Sequence, residues 1–419
     1  MAEDGRDAGG PSRNHQNFRA AAAKDGQIAS FAAVRKSLLD QFHHFLHANP
    51  TAAPVIVLLI SLAVFGAIAP NFFTPFNLSL IMAQVAIIGI LGSAQTLVIL
   101  TAGIDLSVAA IMVFAYMIMA RLAVEGGLPT PFAILVGILV GIAAGLFNGA
   151  MVTRAKLLPI AVAMGVWAIL FWLSGIEGLG FLSGLSIIWI VPIGIILGLA
   201  TAALPFDLSI ELRLPPFIAT LGAWSIFYAF NLWYSESQTV RSQDIDNVAP
   251  TLKFFGQRVE ILGAQFTLAT FLMIAIFAAL WYALNWTPWG RSVYAVGDDK
   301  EAAELSGIKT DRVLISVYAV AGFLCALGGW AAIGRVGSAA PQSFYEGNLD
   351  AITAVVIGGT SLFGGRGAIF GTLFGALIVG VFRSGLKLAG VDVLWQTFSV
   401  GLLIIVAVAM DQWIRRVAR

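Results

Sequence analysis

Long apolar runs, each about 18 to 25 residues and nearly free of charge, recur along this chain and constrain it more than any motif does. A run of that length suits a helix crossing roughly 30 Å of hydrocarbon. A membrane β-barrel would alternate polarity through segments of roughly 10 residues, and these runs do not alternate. Only 11% of the 419 residues are charged and 59% are hydrophobic, against about 25% charged in soluble domains. Such a surface does not stay solvated in water, so the expected fold class is all-α, a polytopic membrane protein. The 44 glycines fit close helix approach where no hydrophobic force drives association. The single cysteine, Cys325, excludes a disulfide scaffold, and a net charge of +1 offers nucleic acid no basic field.

Candidate spans fall at 54–69, 78–100, 106–124, 131–152, 159–176, 182–205, 216–234, 266–285, 313–333, 349–363, 367–384 and 392–411. With ten to twelve crossings, an even count puts both termini on one side. Lys and Arg in short loops orient the chain. With the amino terminus inside, seventeen of the 24 cations lie inside and seven outside, so both termini are expected to be cytoplasmic.

Residues 1–50 read as a cytoplasmic polar tail, with a short amphipathic helix near 35–48 built on Leu38, Leu39, Phe42, Phe45 and Leu46. No apolar core follows the early charges, so a cleaved signal peptide is not expected. All four histidines lie in this tail without acidic or cysteine partners and read as polar surface, not as a metal site. Lys156–Trp167 resembles Arg213–Trp224 at an offset of 57, with Pro159/Pro216, Gly165/Gly222 and Trp167/Trp224 in register. Duplication of a helix start and chance are equal accounts of it.

Catalytic signatures are missing from the sequence. There is no Gly-Lys dipeptide, hence no phosphate loop, and no His-Glu-x-x-His, Cys-x-x-Cys or Gly-x-Ser-x-Gly. Polar residues at membrane depth are the next signal, because each costs a few kcal/mol (about 2.5–3.5 on insertion scales) unless buried in protein. Asp105, in Thr101–Val108, either caps the next helix or faces a transport path. Asp350 reads as a second cap, and Asn148-Gly149 places an amide where it can bond across helices. Gly358, Gly359, Gly364 and Gly365 punctuate a break between two apolar stretches, read as a structural turn over a transport site. The largest inner loop, 286–312, carries a short helix near 300–306 with Asp298 or Asp299 as cap and Gly307 as stop. It is either solvated or a docking segment for a soluble partner.

From this loop outward the sequence resembles the permease subunits of bacterial ABC importers for monosaccharides, the ribose/fructose/xylose branch of the branched-chain permease family. The matching stretches are Gly103–Ser107, Asn148-Gly149, Pro216–Gly222, Gly290-Arg291, Tyr294–Gly297, Glu301–Ala303 with Ser306–Ile308, and Gly358–Leu362 with Gly364-Gly365. Tyr294–Asp299 and Asp411–Arg415 look closest to fructose permeases. The resemblance covers most of residues 50–415. It implies a second permease copy, a cytoplasmic ABC ATPase that holds the ATP and Mg, a periplasmic sugar-binding protein, and a place in the bacterial inner membrane. No cofactor is implied for this chain. It also implies that Gly297, Glu301, Ala302, Ala303 and Gly307 form the segment coupled to the ATPase, which favours the docking reading of the loop.

Two departures stand out. Ala109 replaces a glycine usual in the family, and about 57 residues, roughly 157–213, interrupt the usual run from Asn-Gly to Pro-Phe-Ile. The expectation is therefore ten family spans plus an inserted hydrophobic helical pair, within a permease domain at 51–415 followed by a cytoplasmic end, 416–419. Gln84, Gln95, Asp105, Asn148 and Thr220 are the candidate path residues. The rival readings are a permease of the same family for branched-chain amino acids or another small solute, and an ion-coupled secondary carrier, which needs an ionisable relay deep in the spans.

Overall fold

A computed structural model describes residues 51–156, 211–212 and 214–417. The polar tail with its amphipathic helix and histidines, the spans expected at 159–176 and 182–205, the first copy of the repeated helix start and nearly all of the 157–213 insert lie outside them. The described chain is mostly helical, and five of its helices are long and apolar enough to cross a membrane.

The chain begins with α1 (Ala52–Ile68), α2 (Pro75–Leu100), α3 (Val108–Val124) and α4 (Thr130–Arg154). Strands β1 (Ala155–Lys156) and β2 (Glu211–Leu212) then pair antiparallel, so the two flanks of the insert meet. Next come α5 (Pro216–Ser235), α6 (Ser242–Val248), a 3-10 turn (Pro250–Gly256), β3 (Arg258–Ile261) and β4 (Ala264–Thr267). The rest is α7 (Leu268–Trp286), α8 (Pro288–Asp298), α9 (Lys300–Leu305), α10 (Thr310–Val336), α11 (Gly347–Ile357), α12 (Ile369–Leu388) and α13 (Val393–Val417).

Three expectations are corrected. The chain is not wholly helical, because β3 and β4 form an antiparallel hairpin. Leu262 (φ 53°) and Gly263 (φ 79°) supply the two left-handed residues that a tight hairpin loop needs. The 286–312 loop is mostly helix: Pro288 fits the first position of α8, whose N-cap Thr287 accepts from the Gly290 amide. The span expected at 349–363 ends at Ile357, where the Gly358-Gly359 pair stops the helix.

α2 is apolar on most of its surface and buried without a break from Val85 to Leu100. It lies among α7, α10, α11 and α12. α10 packs along α4, α2 and α3. At the α4–α10 crossing the backbones nearly touch: a Cβ on Gly141 would sit 2.6 Å from the Gly322 carbonyl, and one on Gly145 would overlap the Tyr318 carbonyl. Small residues here gain dispersion contacts that larger ones would prevent. Thr96 and Thr372, 2.6 Å apart, tie α2 to α12.

The helices alternate in direction, so the bundle has two ends. The hairpin end carries β3–β4, where the Ser79 hydroxyl accepts from the Gln265 amide at 2.7 Å. There Arg121 of α3 donates to the Tyr234 carbonyl of α5 and pairs with Glu125 and Glu236. The opposite, glycine end gathers residues 101–107, the end of α4, helices α8 and α9, and the 358–368 turn.

Candidate functional site

Two structures at the glycine end hold most of the sequence-predicted residues. The first is the connection from Leu100 to Val108. It sits inside the bundle: Gly103 lies against Tyr318, and α10 begins eight residues earlier, about 12 Å farther out. Polar backbone at that depth needs protein partners. Asp105, 1% exposed, accepts from the Ser107 amide at 2.7 Å and the Ser107 hydroxyl at 2.6 Å. Asn148 of α4 donates to Ser107 Oγ at 2.7 Å and to Asp105 Oδ2 at 3.3 Å. Thr220 Oγ1 of α5 accepts from the Leu106 amide at 3.1 Å and lies 3.0 Å from the Ile104 carbonyl oxygen, to which it can donate. The Gln95 side-chain amide of α2 is paired with the Asp105 backbone, donating to O at 2.9 Å and accepting from N at 3.2 Å.

Four of the five candidate path residues thus converge on one connection and join α2, α4 and α5. Gln84 does not join them: it is half-buried on α2, three turns or about 16 Å nearer the hairpin end. Asp105 does not reach the first helical amides of α3 either. That helix starts at Val108, so the carboxylate closes a turn on the N-cap Ser107 instead. In this arrangement its acceptor oxygens are taken up by the fold itself.

The second structure is the helical pair α8–α9. A Cβ on Gly297 would overlap the Leu100 carbonyl and come within 2.7 Å of the Gly365 nitrogen. Only glycine lets α8 lie flush on both. Gly365 donates in turn to the Leu100 carbonyl at 3.0 Å, and Tyr294 donates to the Gly367 carbonyl at 3.0 Å. Burial pushes the Tyr294 phenol above its usual range, which keeps it a donor. Gly359, Gly364, Gly365 and Gly367 all have positive φ, so the 358–368 turn follows a path open to glycine. Gly358 packs against the start of α12 at Gly371.

Beyond this knot α9 projects outward. Asp299 caps it, accepting from the Ala302 amide at 3.0 Å, and Gly307 (φ 85°) ends it in open space. Ala303 is buried with Val296 and Leu314, whereas Glu301 and Ala302 are exposed and Leu305 is 91% exposed. α9 is thus a small foot on a rigid ankle, and the ankle bears on the residue that opens the 101–107 connection.

Sequence reasoning missed two charged or aromatic features. Asp350 is not a helix cap: α11 begins earlier, at Gly347, and Asp350 pairs with Arg383 of α12 at 2.6 Å. Arg383 also lies 3.4 Å from Glu346. Trp224, Tyr228 and Tyr345 form an aromatic corner between α5 and the 337–346 connection. The four-residue spacing of Trp224 and Tyr228 was readable; their meeting with Tyr345 was not.

Many apolar helices, a polar connection buried at depth and an exposed foot define a polytopic membrane protein. The comparison with known proteins gives the family. The family of branched-chain amino acid transport system permease components matches residues 77–177 and 173–408, and the chain belongs to it. It is 46% identical over 409 residues to the fructose import permease FrcC of Rhizobium meliloti, covering 97% of each chain. It is 33% identical to the ribose import permease RbsC of Bacillus subtilis, covering 88% of this chain and 95% of that one. Against the D-allose permease AlsC of Escherichia coli the identity is 30%, covering 86% and 91%. No solved structure matches the chain.

Proposed function

We propose that this chain is the membrane subunit of an ATP-driven importer for a monosaccharide of the fructose or ribose kind. The observation that carries the reading is the 46% identity to a fructose permease along 97% of both chains. Segments α1–α5, α7 and α10–α13 are the ten family crossings, α11 being a partial one. The glycine end faces the cytoplasm of a bacterium, where the excess of Lys and Arg lies. A second copy completes the pathway, and a sugar-binding protein delivers substrate at the hairpin end.

The exposed foot docks on an ABC ATPase, which alone holds ATP and Mg. Leu305 and Glu301 supply its contact surface, and Gly307 lets the chain turn back into α10. A push on α9 passes through α8 to Leu100 and Gly365, because Gly297 leaves no compressible side chain between them. From Leu100 it reaches the connection that Gln95, Asn148 and Thr220 bind to α2, α4 and α5. Alternating access is a population shift between two arrangements of these helices, biased by the nucleotide state of the ATPase.

The test is reconstitution of the permease with its ATPase and binding protein, followed by uptake of labelled fructose, ribose and leucine. Sugar uptake that requires ATP is expected. Glu301→Lys and Gly307→Trp should insert normally, keep ATP hydrolysis and lose uptake at least tenfold. Uptake of leucine but not sugar would move the substrate to branched-chain amino acids, and uptake without the ATPase would establish an ion-coupled carrier.

A further inference from the structure

We propose that Trp224, Tyr228 and Tyr345, with Asn231, Gln342 and Ser343, form a subsite that receives the ring of a neutral monosaccharide partway across the bundle. The inference rests on the monosaccharide reading above and names where the sugar sits.

Its first support is backbone geometry. The connection between α10 and α11 is not helical, yet it descends inside the bundle. Val240 and Ala339 exchange backbone hydrogen bonds at the hairpin end. Tyr116 of α3 then donates to the Ala340 carbonyl, and Gly347 lies over Ala109, so the segment drops about 10 Å alongside α3. Irregular backbone at such depth persists only where it is packed on protein or borders a water-filled space. This stretch borders a partly open hollow of about 20 Å³, room for one water in this arrangement, which would have to widen to take a sugar ring.

The second support is the lining. Trp224 and Tyr228 stack on successive turns of α5, with centroids 5.8 Å apart and 9° between planes. Tyr345 stands edge-on to both, at 6.0 and 6.5 Å, and is 64% exposed. Flat aromatic faces beside polar groups suit a sugar, whose C–H face packs on a ring while its hydroxyls bond at the rim. Asn231 supplies the third support. It is 1% exposed, its Nδ2 donates to the Pro341 carbonyl at 2.8 Å, and its Oδ1 accepts from no group among the described residues. A buried acceptor left unpaired costs stability unless something else fills it. A small rotation of α5 or of the connection would present Oδ1 to a sugar hydroxyl, with Gln342 and Ser343 beside it. No charged residue among the described ones lines the hollow, so a carboxylate or ammonium would find no counter-charge from them there.

The decisive experiment measures initial uptake of labelled fructose, ribose and leucine by the whole transporter in a host without its own sugar importers. Trp224→Ala and Tyr345→Ala should each cut sugar uptake about tenfold at equal membrane abundance, with Trp224→Phe within about threefold of wild type. Asn231→Leu should change the fructose-to-ribose ratio, which loss of folding alone would not do. If the wild type carries sugar but Tyr345→Ala and Asn231→Leu both carry it as the wild type does, the subsite is overturned while the monosaccharide reading stands. If the wild type carries leucine and no sugar, that reading fails first. Should Trp224→Ala not insert, the exposed Tyr345 decides: undiminished uptake by Tyr345→Ala overturns the proposal.

Discussion

The glycine-end knot and the aromatic hollow are built on opposite principles. In the knot, backbone meets backbone: α8 lies on Leu100 through Gly297, Gly365 bonds Leu100, and the Asp105 oxygens accept from Ser107 and Asn148. In the hollow, side chain meets side chain: the rings of Trp224, Tyr228 and Tyr345 gather beside open space, and Tyr345 is mostly exposed. A close-packed, hydrogen-bonded junction transmits displacement, because interiors of that density barely compress. A loose polar-aromatic surface accommodates a guest. The molecule thus separates a region suited to carrying force from one suited to holding cargo, and stability and transport should respond differently to damage in each.

The largest loss of stability is expected at Gly297→Val, where the added side chain overlaps the Leu100 carbonyl. A cost of about 4 kcal/mol or more should leave little folded protein by size-exclusion chromatography in detergent. Normal yield would show that α8 is not clamped as described. Asp105→Ala comes next: three donor groups on Ser107 and Asn148 lose their acceptor, at about 2 to 3 kcal/mol, read as a lowered unfolding midpoint in detergent. Asp105→Asn keeps an acceptor oxygen and should recover about half of that loss. The smallest shift belongs to Tyr345→Ala, within about 0.5 kcal/mol because the ring is exposed, although the same change should strongly reduce uptake. A stability loss at Tyr345 as large as at Asp105 would erase the distinction between the two regions.

How far the sequence reached differs from element to element. Most of the foot was legible: a cap at Asp298 or Asp299 and Gly307 as stop follow from turn chemistry within a few residues, and the structure selects Asp299. Most apolar spans within the described residues were placed to within about four positions by hydrophobic run length, but α11 ends six residues before the expected 363 and α13 runs six beyond 411. α8 was missed because Pro288, Gly290 and Gly297 read as loop residues, although Gly290, Val293, Val296 and Gly297 recur at helical spacing; its burial comes from Leu100 and Gly365, far along the chain. Gln84 and Gln95 looked equivalent as polar groups on one apolar helix. Only their depth separates them, since one turn of α2 faces the 101–107 connection and another does not.

By itself, then, the sequence determined that this chain crosses a membrane many times, where its helices break, and what kind of foot it extends. Those properties depend on local hydrophobicity, capping and glycine chemistry. The tertiary structure alone decided that Gln95, Asn148 and Thr220 converge on Asp105, that Asp350 pairs with Arg383, and that Tyr345 completes an aromatic corner with α5. Apolar helices of similar composition carry no local mark of which neighbour they will meet. Those meetings are set by close contact of surfaces far apart in the chain.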